Sequence, residues 1–350
     1  MTASADIAAS APEQAPAHAA DAAEPARGPA EELPLVAVTT PVYNGEEFLA
    51  ETMDAVQAQT WPNLVHVVID NASTDSTPEI LARYQNARVP VIVHRNPETI
   101  PMNPNWNRAV EMVPKDAAYF RVLAADDLID PTSTEKMVRL AMRDPEIGVV
   151  GAYTRKSDNP PIRALPKDQE VFDGTEIARG YMTFDHNCLW ANHLLFRRDF
   201  ADRFVPFYDP AFHHDDVERA LGALIGEKYG FVHEYLAFTR VHENTHSNSI
   251  AYADSSHIRE WVMMLKRYAP ELFPAPRAKR LIRSQLFKYY REVLNLAAHG
   301  DTARYRAQME HLERLGHRPR PWDFAAALAE FVPGKALRLV RRKWKRLTAR

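Results

Sequence analysis

The stretch Ala117-Ala118-Tyr119-Phe120-Arg121-Val122-Leu123-Ala124-Ala125-Asp126-Asp127-Leu128 decides how the chain is read. Its apolar start, bounded by Lys115-Asp116 before and Pro131 after, has the pattern of a buried strand. It ends on two adjacent carboxylates. Like charges about 4 Å apart repel by roughly 4 kcal/mol at an effective dielectric near 20, so the pair calls for compensation. A hard divalent cation bridging to phosphate oxygens would supply it. A turn and helix entry before Asp130-Pro131 is the structural alternative. In open α/β sheets ligands bind beyond the carboxyl ends of strands, which is where this pair falls.

Outward from this strand the pattern alternates strand and helix. Val36-Ala37-Val38-Thr39-Thr40 reads as a first strand ended by Pro41, and Glu46 to Gln59 has helical spacing. Val65 to Ile69 is a second strand closing on Asp70. The capping-rich run Ser73-Thr74-Asp75-Ser76-Thr77-Pro78 opens a helix through Ile80, Leu81 and Tyr84. Val89 to Val93 is a third strand, and Asn103-Pro104-Asn105 precedes a helix through Trp106. A helix over Thr132 to Arg143 and a strand over Ile147 to Ala152 follow. Such alternation predicts a mostly parallel α/β sheet with helices on both faces. No G-x-G-x-x-G and no P-loop follows the first strand, so a nucleotide would be held by other means.

Beyond about residue 154 the regularity fails. Lys156 to Pro166 reads as a loop, Leu189 to Phe196 and Tyr229 to Thr239 as strands, and Val217 to Ile225 as a helix. From about residue 250 helices are expected over Ser256–Tyr268, Pro276–Ala298, Thr302–Leu315, Pro321–Ala329 and Lys335–Leu347. Their Trp261, Met263, Met264, Tyr289 and Tyr290 are expected in the core. The domain reading is a disordered Ala/Pro-rich tail over 1–32, a main domain over 33–250 and a helical region over 251–350.

Composition narrows the function. The chain has 350 residues, a net charge of −3 and a pI near 6.5, which gives no general signature for nucleic-acid binding. Cys188 is the single cysteine, so neither a disulfide framework nor a cysteine metal cluster is available, and a cytoplasmic, reducing setting is expected. No apolar run approaches the ~18 residues of a membrane span. The first 32 residues lack the basic and apolar regions of a secretory signal.

Four polar motifs carry the chemistry. In Thr40-Pro41-Val42-Tyr43-Asn44-Gly45-Glu46, Tyr43 offers an aromatic face on which a base can stack, worth about 1–3 kcal/mol in nucleic-acid binders. In Asp70-Asn71-Ala72-Ser73-Thr74-Asp75, the Asp70 carboxylate can accept from a nucleobase or ribose, while Asp75 suits helix capping. Ala124-Ala125-Asp126-Asp127 is the acidic turn described above. His213-His214-Asp215-Asp216 is a second polar cluster, with Arg240-Val241-His242 downstream. Zinc is disfavoured there because adjacent residues rarely point at one ion. A carboxylate within reach of a hydroxyl can instead act as a general base.

In this order the motifs resemble those of the family 2 glycosyltransferases, inverting enzymes of the GT-A fold, across about residues 34–248. The resemblance implies transfer of a sugar from a nucleoside-diphosphate sugar, with a UDP-sugar the expected donor, to a hydroxyl acceptor in polysaccharide or glycolipid assembly. It places Thr40, Pro41, Tyr43, Glu46, Asp70 and Asp126 at the donor and Asp126, Asp127 and His242 at Mn²⁺ or Mg²⁺; Arg95 after the third strand and Asn107 join the donor set as residues able to contact diphosphate or sugar. It makes Asp216 the base, with Asp215 orienting it, and Arg240 a support of the last loop. Ala124 stands where most members carry an aspartate, so the direct ligand falls to Asp126. The alternatives are a nucleotide-sugar-binding module without catalysis and a sugar-phosphate nucleotidyltransferase. The second would need a basic Gly-rich first loop, and Tyr43-Asn44-Gly45-Glu46-Glu47 is acidic. Lys335 to Arg350 reads as a basic amphipathic helix able to lie on an anionic membrane face.

Overall fold

The computed structural model describes residues 33–156, 164–189, 193–240 and 256–330. The expected tail over 1–32, His242 and the basic helix over 335–350 lie outside them, as does most of the expected loop after Lys156. Strands β1 (Val36–Val42) and β2 (Leu64–Asp70) are buried at every position. Their nearly unbroken apolar runs are what a parallel strand covered on both faces requires. Between and after them run α1 (Leu49–Gln57), α2 (Thr77–Ala82), β3 (Val91–Arg95), α3 (Met102–Glu111) and β4 (Tyr119–Val122). All pairings in the order β3-β2-β1-β4 are parallel, with Val36 opposite both Leu64 and Tyr119.

Past β4 the sheet becomes mixed. The short β5 (Leu128–Ile129), α4 (Ser133–Ala141), β6 (Ile147–Lys156), β7 (Val171–Asp173), α5 (Gly174–Met182), β8 (Leu195–Arg197), α6 (Phe200–Arg203), α7 (Asp215–Leu224) and β9 (Lys228–Thr239) follow. The order continues β4-β8-β6-β9-β5, with β8 antiparallel to both neighbours, β9 parallel to β6 and antiparallel to β5, and β7 paired to β9. Helices α8 (Ser256–Leu272), α9 (Ala275–Ala298), α10 (Thr302–Arg314) and a helical segment over 321–330 complete the described chain.

One sequence expectation is corrected here. Pro41 does not end the first strand: β1 runs to Val42, with Pro41 opposite Ile69. Alternate residues of a parallel strand bond to opposite neighbours. The Val36 N–H and Val42 carbonyl bond on the β2 side, and the Thr39 carbonyl accepts from Leu123 on the β4 side. Pro41 therefore faces the β4 side, where ladder pairing has stopped at Thr39–Val122, and its missing N–H leaves no bond unmade. Helix α3 also starts earlier than expected, at Met102, so Asn103-Pro104-Asn105 forms its first turn, where proline is tolerated.

The helical region does not stand apart from the sheet. Met264, Leu265, Ala269, Leu272 and Phe273 join one apolar core with Phe120, Phe196 and Phe207 from the sheet side. Within it Phe120 stacks on Phe196 at 5.5 Å and meets Phe207 edge-on, also at 5.5 Å. Met264, Tyr289 and Tyr290 are buried as expected, whereas Trp261 and Met263 are only half-buried.

Candidate functional site

A cleft of about 580 Å³ opens at the carboxyl ends of β1, β2 and β4. The end of β1 and the loop after it contribute Pro41, Tyr43, Asn44 and Phe48, the turn after β2 contributes Asn71, and the turn after β4 contributes Ala124, Ala125 and Asp126. The far wall is Thr99, Ile100 and the face of α3 carrying Met102, Asn105 and Trp106. Tyr43 lines the cleft and is 52 % exposed. The polar wall is built by amides: Asn71 Nδ2 donates to the Ile100 carbonyl at 2.8 Å, and Asn96 Nδ2 donates to Asn71 Oδ1 and Asn105 Oδ1. This network folds the segment after β3 back over the cleft.

The first two motifs are latched together. The Asn44 N–H donates to Ser73 Oγ (2.9 Å), the Thr74 N–H to Asn44 Oδ1 (2.9 Å) and the Gly45 N–H to Thr77 Oγ1 (2.8 Å). The Glu46 N–H donates to Asp75 Oδ2, and the Glu46 carboxylate accepts from the Ser76 N–H and hydroxyl. Asn44 sits at φ +49 and Ala72 at φ +56, in the left-handed region. A Cβ on Gly45 would meet Val42 Cγ2 at 2.6 Å, so the tight return of the loop needs glycine. Asp75 accepts from the Thr77 N–H at the start of α2, the capping duty expected of it.

Several expected donor residues act behind this wall rather than on it. Thr40 is fully buried and its hydroxyl lies 2.9 Å from His66 Nε2. Asp70 is buried, accepts from the Ser73 N–H and forms an ion pair with Arg95, whose other nitrogen donates to the Ser73 carbonyl. Glu46 is spent on Ser76. Asn107 clamps the Tyr208 backbone from both sides, donating to its carbonyl (2.8 Å) and accepting from its N–H (2.7 Å). Of the eight expected donor residues, Pro41, Tyr43 and Asp126 line the cleft.

The acidic turn splits its two carboxylates between different tasks. Asp126 faces the cleft. Asp127 is buried, with Oδ2 3.2 Å from His193 Nε2 and Oδ1 accepting from the Arg240 N–H at 3.1 Å. The same imidazole lies 2.8 Å from Thr239 Oγ1. Asp127 thus ties the turn to the end of β9. The Arg240 guanidinium in turn pairs with Glu51 and lies 4.8 Å over the Phe48 ring, bracing a cleft residue. His193 was not anticipated. It precedes β8 with no motif around it, and only the fold brings it to Asp127.

The second acidic pair opens α7. Asp215 is buried and accepts from Asn103 on α3, whose Oδ1 accepts from Asn107 Nδ2 at 3.0 Å. Burial, and then the neighbouring Asp216 charge, push the Asp215 carboxyl up to about 8. Asp216 is less buried and accepts from the Val217 N–H. Both the backbone N–H and Nδ1 of His214 lie 2.9 Å from Glu260 Oε2 of α8, and this contact raises the imidazole pKa. The fully buried Glu260 was a second residue the sequence reading missed. Since α3 both lines the cleft and reaches Asp215, the two halves of the site share one helix.

The donor set suits a cation only of a particular kind. No group of three or more His, Cys, Asp or Glu gathers among the described residues. One cleft-facing carboxylate with oxygen ligands from a diphosphate is ordinary coordination for Mg²⁺ or Mn²⁺. A cation brought with its nucleotide therefore fits Asp126.

Comparison with known proteins agrees with this anatomy. The family model for glycosyl transferase family 2 matches residues 37–204. A glycosyltransferase of Haemophilus influenzae is 25% identical over 54% of this chain and 53% of its own length. The teichuronic acid biosynthesis glycosyltransferase TuaG of Bacillus subtilis is 29% identical over 31% of this chain and 42% of its own length. The chain thus spans about half or less of these relatives. S. aureus TarS, solved with UDP-GlcNAc, superposes with a TM-score of 0.55 at 14% identity, over 82% of this chain and 93% of that one. The mannosyltransferase PcManGT of Pyrobaculum calidifontis, solved with GDP-Man and Mn²⁺, gives 0.53 at 19% identity over 90% and 84%. These likenesses show the fold of the GT-A glycosyltransferases, and residues 37–204 are similar to glycosyl transferase family 2.

Proposed function

We propose that the protein moves a sugar from a nucleoside-diphosphate sugar, a UDP-sugar in the first instance, to a hydroxyl acceptor by direct displacement with inversion. The observation that carries this reading is the shared helix. Met102, Asn105 and Trp106 of α3 line the cleft, while Asn103 of the same turn holds Asp215 beside Asp216. A donor in the cleft and a base at the start of α7 are thereby held in fixed relation, the positioning on which displacement depends.

In this reading Tyr43 stacks on the base and Asp126 faces the diphosphate. Asp70, paired with Arg95, holds the turn that shapes the base pocket. Bound at Asp126, Mn²⁺ or Mg²⁺ supplies Lewis-acid neutralisation of the departing diphosphate. Asp216 takes the proton of the attacking hydroxyl. Asp215 sits neutral beside it near pH 7, so that a single negative charge faces the acceptor. Polysaccharide or glycolipid assembly at the cytoplasmic face is the proposed setting. Among the described residues no helix is long and apolar enough to cross a membrane.

The test is nucleotide-dependent thermal stabilisation together with turnover. A nucleotide at 100 times its dissociation constant adds about 2.7 kcal/mol of stability. A shift with UDP or GDP that weakens with chelator supports the donor and cation reading. Asp216→Asn should keep that shift and lose transfer by roughly 10²–10⁴-fold. Full transfer in the variant would remove Asp216 from its role.

A further inference from the structure

Beside the start of α7 stands an aromatic shelf that the donor reading leaves unused. Phe184, just after α5, is 49 % exposed and stacks on Trp261 of α8 with ring centroids 4.9 Å apart and planes 19° from parallel. Tyr181 closes the inner side, 5.8 Å from Trp261. Phe184 holds its ring there at φ +61, a backbone region that a bulky residue adopts only at a cost. The shelf is tied to the acidic pair. Trp261 directly follows Glu260, which grips His214 ahead of Asp215-Asp216. Burial, and after it the Asp216 charge, raise the Tyr181 phenol.

A second feature begins where the shelf ends. Lys288 of α9 places its ammonium 5.6 Å over the Phe184 ring. From Lys288 back to the start of α9, Arg277, Lys279, Arg280 and Arg283 are all exposed, and this stretch of the helix contains no acid. None of the five cations forms an ion pair with a described residue. The stretch from Lys288 to Arg277 is about 17 Å long at 1.5 Å per residue. Elsewhere Arg139, Arg143 and Arg203 have carboxylate partners, while exposed cations such as Arg83 and Lys115 pair with no described carboxylate but stand singly rather than in a run. In a chain of net charge −3, five exposed cations along one helix, none in an ion pair with a described residue, lead to the exposed Phe184 ring and form a local basic surface.

We infer that the acceptor is an anionic glycan whose terminal sugar packs against the exposed rim of Phe184, on the side of the site where Asp216 lies, with its following charged units laid along α9. This rests on the glycosyl-transfer reading above and adds the acceptor class to it. The C–H face of a pyranose is apolar and flat, which suits an exposed aromatic ring, while its rim hydroxyls stay free to reach a base. Carboxylates or phosphodiesters spaced along the chain meet these cations, which pair with no described carboxylate. A membrane surface would also meet these cations, but it leaves unexplained why the track begins over a ring next to the acidic pair.

The experiment is calorimetric titration of the full chain with galacturonate oligomers and with phosphodiester-linked glycerol oligomers. Neutral maltooligosaccharides and phosphatidylglycerol vesicles are run alongside. At least one charged oligomer should bind about tenfold tighter than the neutral one and weaken as salt rises. Phe184→Ala and the double variant Arg280→Glu/Arg283→Glu should each weaken it about tenfold, whereas Arg306→Glu/Arg314→Glu on α10, with the same charge change, should not. Absence of binding by both charged oligomers, indifference to Phe184→Ala, or equal loss in the α10 variant would overturn the inference. So would α9 variants that lose vesicle binding and keep glycan binding. UDP and GDP thermal shifts on the same samples separate the two readings: loss of those shifts in the unaltered protein counts against the donor site, and their presence without glycan binding counts against the acceptor alone.

Discussion

Asp215→Asn should change how stability depends on pH, in a direction fixed by burial. The folded protein holds the Asp215 proton up to about pH 8, while an unfolded aspartate releases it near 3.8. Between those values the folded state binds more protons than the unfolded state. Its stability therefore falls as pH rises, by up to 1.36 kcal/mol per unit. Asn cannot ionise, and its amide oxygen can still accept from Asn103. Relative to the unaltered protein, the variant should gain about 3–4 kcal/mol between pH 5 and pH 8. Other titrating groups are common to both proteins and cancel in the difference to first order. Among them, His214, Glu260 and Asp216 are the charged neighbours that face this carboxyl. The assay is urea unfolding of both proteins at several pH values, with midpoints and slopes compared. A gap that stays flat or narrows with rising pH would refute the argument.

His66 predicts the opposite slope. Burial lowers its pKa to about 3, so stability is full above the ordinary histidine value of 6.5 and is lost as pH falls towards 3. By pH 5 the loss is about 2 kcal/mol, and unfolding of His66→Gln should lack it. Gly45→Ala forces a methyl to within 2.6 Å of Val42 Cγ2 and should cost about 1–3 kcal/mol, with nucleotide thermal shifts reduced because the cleft loop must move. Asn107→Ala strands the Tyr208 carbonyl and N–H and should cost about 1–3 kcal/mol, read by denaturant midpoint. The same change frees Asn103, so turnover should fall further than stability alone explains.

The parallel half of the sheet was legible because its strands are apolar at nearly every position and are separated by segments of helical apolar spacing. The motif ends were legible for the same reason: polar residues at the close of a buried strand have few places to go. What escaped was set by contacts distant in sequence. Pro41 looked like a terminator because a strand read alone does not reveal which side its missing N–H faces. Asp126 was expected as the direct ligand with Asp127 beside it at the cation, and the turn does aim Asp126 at the cleft but buries Asp127 against His193. Glu260 lies in an ordinary amphipathic helix, and only packing against α7 gives it the His214 contact. Beyond residue 154, β7 and β8 are too short to leave a period.

The bond from the Arg240 N–H to Asp127 joins residues 113 apart in the chain. The latch between Asn44 and Ser73 spans only 29. On a ribosome adding 5–20 residues per second, the Asn44–Ser73 side of the cleft can close soon after β2 emerges, whereas the acidic turn, once made, waits roughly 6–23 s for its tether. During that interval Asp127 is a carboxylate without its final address. The protein thus acquires the latched wall of its cleft early in synthesis, and its acidic corner only when β9 has arrived.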